Sequence, residues 1–200
     1  MIKLFWCPKT RAKRALWMLE ETGLDYQLVH VDIHDRDAPV DPFFRLASPM
    51  GKVPALADGD ATLAESAAIC LYLADRYPDC GLAPAVDDAL RARYLYWMFF
   101  VPAVMEPAVV EKLGGWKGNR FSSGWGDFDS MIQTLEAGLA AGPWLLGEQF
   151  SAADVMVGAT VAFLRRLGVL PENPVLDPYV ARCVARPAYQ RAEAREEESP

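Results

Sequence analysis

The sequence predicts an α/β domain followed by an all-helical domain. Three observations carry this reading. The chain opens with an apolar run, an amphipathic helical run and an alternating run, in the order β-α-β. Two further short strand-like runs and a helix follow. From Val86 onward helical periodicity continues while no strand pattern recurs.

Ile2 to Trp6 is short and apolar, bounded by Cys7-Pro8, and reads as a buried strand. Thr10 to Thr22 places Ala12, Ala15, Leu16 and Leu19 on one helical face, with Lys13, Arg14, Glu20 and Glu21 suited to the wet side and Gly23 as the stop signal. Tyr26 to Asp32 alternates around Leu28, Val29 and Val31 and reads as a second strand. The polar stretch from Asp35 to Pro49 carries a short helix around Phe43 and Phe44. Val53 to Ala57 and Thr62-Leu63 read as two strands joined by the turn Asp58-Gly59-Asp60, and Glu65 to Tyr77 as a helix ended by Pro78. This order, β-α-β, an irregular helix, then β-β-α, is that of a thioredoxin-like domain over residues 1–78. The Pro- and Gly-rich stretch 79–85 reads as a linker, and 86–200 as an all-α helical domain.

In that second part Asp87 to Val110 is a long helical pattern with breaks expected at Pro102 and Pro107. A glycine-rich loop with Trp116 and Trp125 follows, then helices over Phe128 to Ala141, Ser151 to Leu167, Val175 to Ala185 and Ala188 to Ala194. The acidic tail from Arg195 reads as a frayed, solvated end. The aromatics Tyr94, Tyr96, Trp97, Phe99 and Phe100 read mostly as core or dimer contact.

Hydrophobic residues make up 52% of the 200, enough for a substantial core, and the net charge of −7 argues against nucleic acid as the partner. No apolar run reaches the length of a membrane span, and the N-terminus lacks the features of a signal peptide, so a cytoplasmic location is expected. Cys7, Cys70, Cys80 and Cys183 form no CxxC pair and no zinc pattern. His30 and His34 lack a companion at ligand spacing, so no metal is expected.

Three segments carry chemistry. The first is Phe5-Trp6-Cys7-Pro8-Lys9-Thr10-Arg11-Ala12, completed by Leu19-Glu20-Glu21-Thr22-Gly23-Leu24. The second is Ser48-Pro49-Met50-Gly51-Lys52-Val53-Pro54-Ala55-Leu56 followed by Leu63-Ala64-Glu65-Ser66-Ala67-Ala68-Ile69. The third is Gly142-Pro143-Trp144-Leu145-Leu146-Gly147-Glu148-Gln149-Phe150-Ser151-Ala152-Ala153-Asp154. In the first, a helix start favours negative charge on a nearby sulfur. In the second, the amides that open a helix after Glu65-Ser66 suit a carboxylate. In the third, Ser151 with Asp154 three residues on is a short capping box.

Together these segments resemble the cytosolic glutathione transferases, of bacterial type, over essentially the whole chain. The resemblance implies a thioredoxin-like N-terminal domain that binds glutathione and an all-α C-terminal helical bundle. It implies a cis Val53-Pro54 bond, with the residue before the proline offering its backbone to the cysteinyl part of glutathione. It also implies Ser66 at the γ-glutamyl carboxylate and Glu65 at the α-amino group. Arg11 and Lys52 complete the glutathione-binding candidates, and a homodimer is the family's usual state. The catalytic position has two occupants in view. Counted from the first strand it is Cys7; counted back from Gly23 it is Thr10. Thr10 can donate a hydrogen bond to the glutathione thiolate, and one unit of thiol pKa is about 1.4 kcal/mol. Cys7 can instead form a mixed disulfide. Each also has a plain structural reading, Thr10 as a helix cap and Cys7 as a strand-end thiol.

Transfer of glutathione to a small apolar electrophile, as in detoxification, is the first functional expectation. Glutathione-dependent thiol-disulfide exchange or peroxidase chemistry through Cys7 is the second. A non-catalytic binding module on the same fold is the third.

Overall fold

A computed structural model describes residues 1–35, 41–119 and 121–198. The chain divides into two compact units, one formed by 1–82 together with 184–200 and the other by 83–183.

The first unit is built on a four-stranded mixed sheet of order β2-β1-β3-β4. Strand β1 (Ile2–Trp6) lies inside the sheet, which is why its sequence is apolar apart from Lys3 rather than an alternation. It pairs in parallel with β2 (Tyr26–His30) and antiparallel with β3 (Ala55–Asp58), which pairs antiparallel with β4 (Ala61–Ala64). Helix α1 (Ala12–Thr22) makes the crossover between β1 and β2 and stops at Gly23, whose φ of 68° lets its amide close on the Leu19 carbonyl at 3.2 Å. Asp58-Gly59-Asp60 turns β3 into β4, with Gly59 at φ 59°. Under one face of the sheet, Phe44 of α2 (Pro42–Ala47) packs on Phe5, their ring centroids 5.6 Å apart, in a cluster with Val31, Ala47, Ala55 and Ala57. Helix α3 (Ser66–Arg76) packs against α1, β3 and β4. The short helix expected within Asp35 to Pro49 is α2; residues 36–40 of that stretch lie outside the described residues.

In the second unit, the long helical run is α4 (Arg91–Phe100), a π-helical turn over Val101–Met105, and α5 (Glu106–Gly114). The break expected at Pro102 is thus a local widening rather than an end: Pro102 has no N–H to give, and the turn closes through the Glu106 amide on the Val101 carbonyl. Helix α6 (Phe128–Gly138) starts with a reciprocal cap, Ser130 N–H to Asp127 Oδ1 at 2.8 Å and Asp127 N–H to Ser130 Oγ at 3.1 Å. At its end a Cβ on Gly138 would meet the Trp97 ring at 2.2 Å, so this close approach of α6 to α4 requires glycine. Tyr94, Trp97 and Phe100 are core, as expected, while Tyr96 and Phe99 are about half exposed. Helix α7 (Ala152–Arg166) is buried on nearly every side, and α8 (Leu176–Val184) seats Tyr179 and Cys183 in the core.

The tail departs from expectation. Helix α9 (Pro187–Glu197) groups with the first unit, and of its acidic end Glu196 is buried, while Glu197 and Glu198 are exposed as expected. It packs along α1, with Tyr189 set edge-on to Trp17 at 5.0 Å. Arg186 grips both Glu21 oxygens at 2.6 and 2.7 Å, and Arg191 pairs with Glu20 at 2.6 Å. Lys13 pairs with Glu193 and, at 3.0 Å, with Glu196. This corrects the wet-side reading of α1: Lys13 and Arg14 are 9% and 8% exposed, on a helix packed by both α3 and α9, with Lys13 paired to carboxylates of α9. Burial alone would push the Lys13 ammonium down, but its bonds to Glu193 and Glu196 outweigh that and hold its pKa above the ordinary value. Among the described residues, no helix is long and apolar enough to cross a membrane.

Candidate functional site

One rung of the sheet gathers the sequence-derived candidates. Phe5 on β1 pairs with Ala55 on β3, and Ala55 pairs with Ala64 on β4. Cys7 to Arg11 leave β1 just beyond that rung. Lys52 to Pro54 enter β3 just before it, and Glu65-Ser66 follow β4 directly. Adjacent strands lie about 4.8 Å apart, so the three strands span roughly 10 Å of one sheet end. All eight candidate residues therefore depart from a single edge of the N-terminal unit.

Thr10 stands at the start of α1. Its hydroxyl donates to the Cys7 carbonyl at 2.7 Å and accepts the Ala12 N–H at 3.2 Å. It has one proton, so donating to a thiolate means exchanging the carbonyl for the sulfur. Arg11 is exposed and precedes α1. Cys7 is half-buried. Burial pushes its thiol pKa up, the Ile33 amide bonded to it pulls back, and the Asp32 carboxylate adds to the rise. A thiol held up in this way stays protonated at neutral pH, the reverse of what an attacking cysteine needs. Cys70 and Cys183 are core, as expected, and the Cys80 thiol donates to the Thr22 carbonyl at 3.4 Å.

The Val53-Pro54 bond is cis, as the resemblance implies, with Pro54 buried and Lys52 exposed beside it. Ser48 holds this turn: its hydroxyl accepts the Lys52 N–H and donates to the Lys52 carbonyl, both at 2.8 Å. Ser48 stood in the quoted motif without a role. Its signal was the Ser-Pro-x-Gly pattern, since the Gly51 amide returns to the Ser48 carbonyl at 2.9 Å with Gly51 at φ 66°.

Glu65 is exposed and adopts φ 71°, in the region that favours glycine. It sets the direction in which α3 begins, and its own side chain makes no cap hydrogen bond to the α3 amides. Ser66 is buried at the first position of that helix. The site thus offers the Thr10 and Ser66 hydroxyls, a helix start, an exposed carboxylate and two exposed cations. That set suits a zwitterionic, thiol-bearing peptide. A surface cavity lined by Leu24, Tyr26, Leu28, Arg191 and Arg195 lies at the other end of the sheet, where Tyr26 pairs with Ile2, and takes no part in this arrangement.

A thioredoxin-like sheet with this edge, followed by a helical unit, defines the glutathione transferase class of fold. The chain belongs to the glutathione S-transferase family. The family's N-terminal domain matches residues 1–75 and its C-terminal domain residues 107–182. Glutathione S-transferase 3 of Zea mays is 30% identical, covering 96% of this chain and 93% of its own. The disulfide-bond oxidoreductase YfcG of Escherichia coli is 29% identical over 96% of this chain and 94% of its own. Among solved structures, a glutathione transferase of Methylococcus capsulatus superposes with a TM-score of 0.83 at 30% identity, over 98% of this chain and 99% of that one. A sphingomonad glutathione S-transferase complexed with glutathione does so at 0.80 and 30%, over 98% and 100%.

Proposed function

We propose that this chain binds glutathione at the sheet end and activates its thiol for attack on a small apolar electrophile. The observation that carries the reading is the shared rung Phe5-Ala55-Ala64, from which the Thr10, Val53-Pro54 and Glu65-Ser66 segments all depart. In this reading the α3 amides and the Ser66 hydroxyl take the γ-glutamyl carboxylate, and Glu65 meets the α-amino group. The Val53 backbone before Pro54 pairs with the cysteinyl amide, and Lys52 and Arg11 supply positive charge. Thr10 then donates to the sulfur and holds it as thiolate, in line with the electrophile. The family membership adds a homodimer and a cytoplasmic location to the proposal. Light scattering of the purified chain tests the dimer.

The test of the site is thermal unfolding with and without millimolar reduced glutathione. Ligand at ~100 times its dissociation constant stabilises the fold by about 2.7 kcal/mol. A clear rise in the midpoint of the parent, lost in Glu65→Ala, is expected. A cooperative transition that glutathione leaves unmoved in the parent overturns the reading and leaves the non-catalytic module.

A second reading, thiol-disulfide exchange through Cys7, is favoured by the similarity to the YfcG oxidoreductase. The raised Cys7 thiol weighs against it. Cys7→Ser is expected to keep conjugating activity and glutathione-dependent disulfide reduction at the parent rate. Loss of the reductase activity alone assigns that activity to Cys7.

A further inference from the structure

The loop between β1 and α1 turns on Lys9, whose backbone lies at φ 59°, in the left-handed region. Glycine takes that conformation freely, whereas a lysine is kept there by its surroundings. One partner comes from far along the chain. The Glu196 carboxylate of α9 accepts the Lys9 N–H through Oε1, while Oε2 accepts from the Lys13 ammonium at 3.0 Å. Glu196 is 7% exposed, so its bond to the amide is made out of water, where a charge-assisted bond is strong. Lys9 lies between Cys7, whose carbonyl takes the Thr10 proton, and Thr10 itself. A loop free to flip at Lys9 moves acceptor and hydroxyl together.

We infer that Glu196 is a positioning residue, holding the β1–α1 loop so that the Thr10 hydroxyl is presented to the glutathione sulfur. The inference rests on the glutathione reading of the same sheet end. It concerns activation of the sulfur more than affinity for the peptide, because of the binding candidates only Arg11 lies beside this loop, while Lys52 to Pro54 and Glu65-Ser66 adjoin other strands.

The test uses the full chain with Glu196→Ala, Glu196→Gln and Glu193→Ala. Three sets of readouts are taken: the thiol pKa of bound glutathione from ultraviolet thiolate absorbance together with its dissociation constant, kcat and KM for an activated aryl halide, and exchange of the Lys9 amide hydrogen. In Glu196→Ala, kcat is expected to fall about 10- to 100-fold, the cost of a slightly misplaced group. The bound thiol pKa rises by about one unit, the Lys9 amide exchanges faster, and the glutathione dissociation constant stays within about twofold. Glu196→Gln keeps an acceptor for the Lys9 amide and recovers most of kcat. Glu193→Ala removes the other carboxylate on Lys13 without touching the loop, and leaves all three readouts at parent values. Should Glu196→Ala fail to fold, Glu196→Met takes its place, filling similar volume without an acceptor. A folded variant with faster Lys9 exchange but parental thiol pKa and kcat overturns the positioning role alone. A parent that does not bind glutathione overturns the underlying reading, and this one with it.

Discussion

Helices α3 and α7 begin in opposite ways. At the start of α7 everything is closed inward. Asp154 Oδ2 accepts the Ser151 N–H at 3.0 Å and the Ser151 hydroxyl at 3.2 Å, while Oδ1 accepts the Leu145 N–H at 3.0 Å and the Tyr179 hydroxyl at 3.1 Å. Both Ser151 and Asp154 are fully buried. At the start of α3, Glu65 points to solvent from a left-handed backbone, and its own side chain makes no hydrogen bond to the amides. Every helix start has amides in want of acceptors. One that satisfies them internally is part of the architecture, and one whose cap residue makes no such bond at the candidate site is available to an anion.

The largest effect is expected where the closed start is opened. Asp154→Ala leaves buried donors of Leu145, Ser151 and Tyr179 without their acceptor and should cost about 4 kcal/mol in urea unfolding. A cost under about 1 kcal/mol would erase the contrast with α3, whose Glu65→Ala variant should unfold close to the parent. The same carboxylate gives a pH signature. Burial raises its pKa to about 6 against an ordinary 3.8, the bonds from Leu145, Ser151 and Tyr179 offsetting only part of that rise. Below pH ~3 both folded and unfolded states are protonated. As pH climbs through 6 the folded state must give up a proton that the unfolded state has already lost. The stability advantage of the parent over Asp154→Asn should therefore shrink by about 3 kcal/mol between about pH 3 and 7. A constant difference would mean that the four bonds cancel the burial. The smallest effect sharpens the open start. Glu65→Gly relieves a left-handed non-glycine residue and should stabilise the fold by ~1 kcal/mol while abolishing the response to glutathione. Stabilisation with an undiminished response would take Glu65 out of the site.

Both helix starts were legible because caps and turns are written in neighbouring residues. Glu65-Ser66 and Ser151 to Asp154 need only a window of a few positions. The strands were legible from apolar runs and the Asp58-Gly59-Asp60 turn, with ends shifted by a residue or two where pairing, not composition, decides. What could not be read was the partner of a charged face. Lys13 and Arg14 look like solvent-facing residues of an amphipathic helix, and Glu196 like part of an acidic tail. Each charge is ordinary alone. The burial of Lys13 and Glu196 follows from contact between segments more than 170 positions apart, which no local pattern encodes. The raised thiol of Cys7 also lay beyond spacing, because it depends on burial, the Ile33 amide and the Asp32 carboxylate.

The return of 184–200 to the first unit has a consequence for synthesis. Residues 1–82 leave the ribosome with the outer side of α1 bare, and all of 83–183 must be translated before its cover exists. At about 5–20 residues per second that delay is on the order of 5–20 s. During it Trp17 lacks Tyr189, and Lys13 lacks its carboxylates. The β1–α1 loop therefore takes its final form only once α9 has been translated.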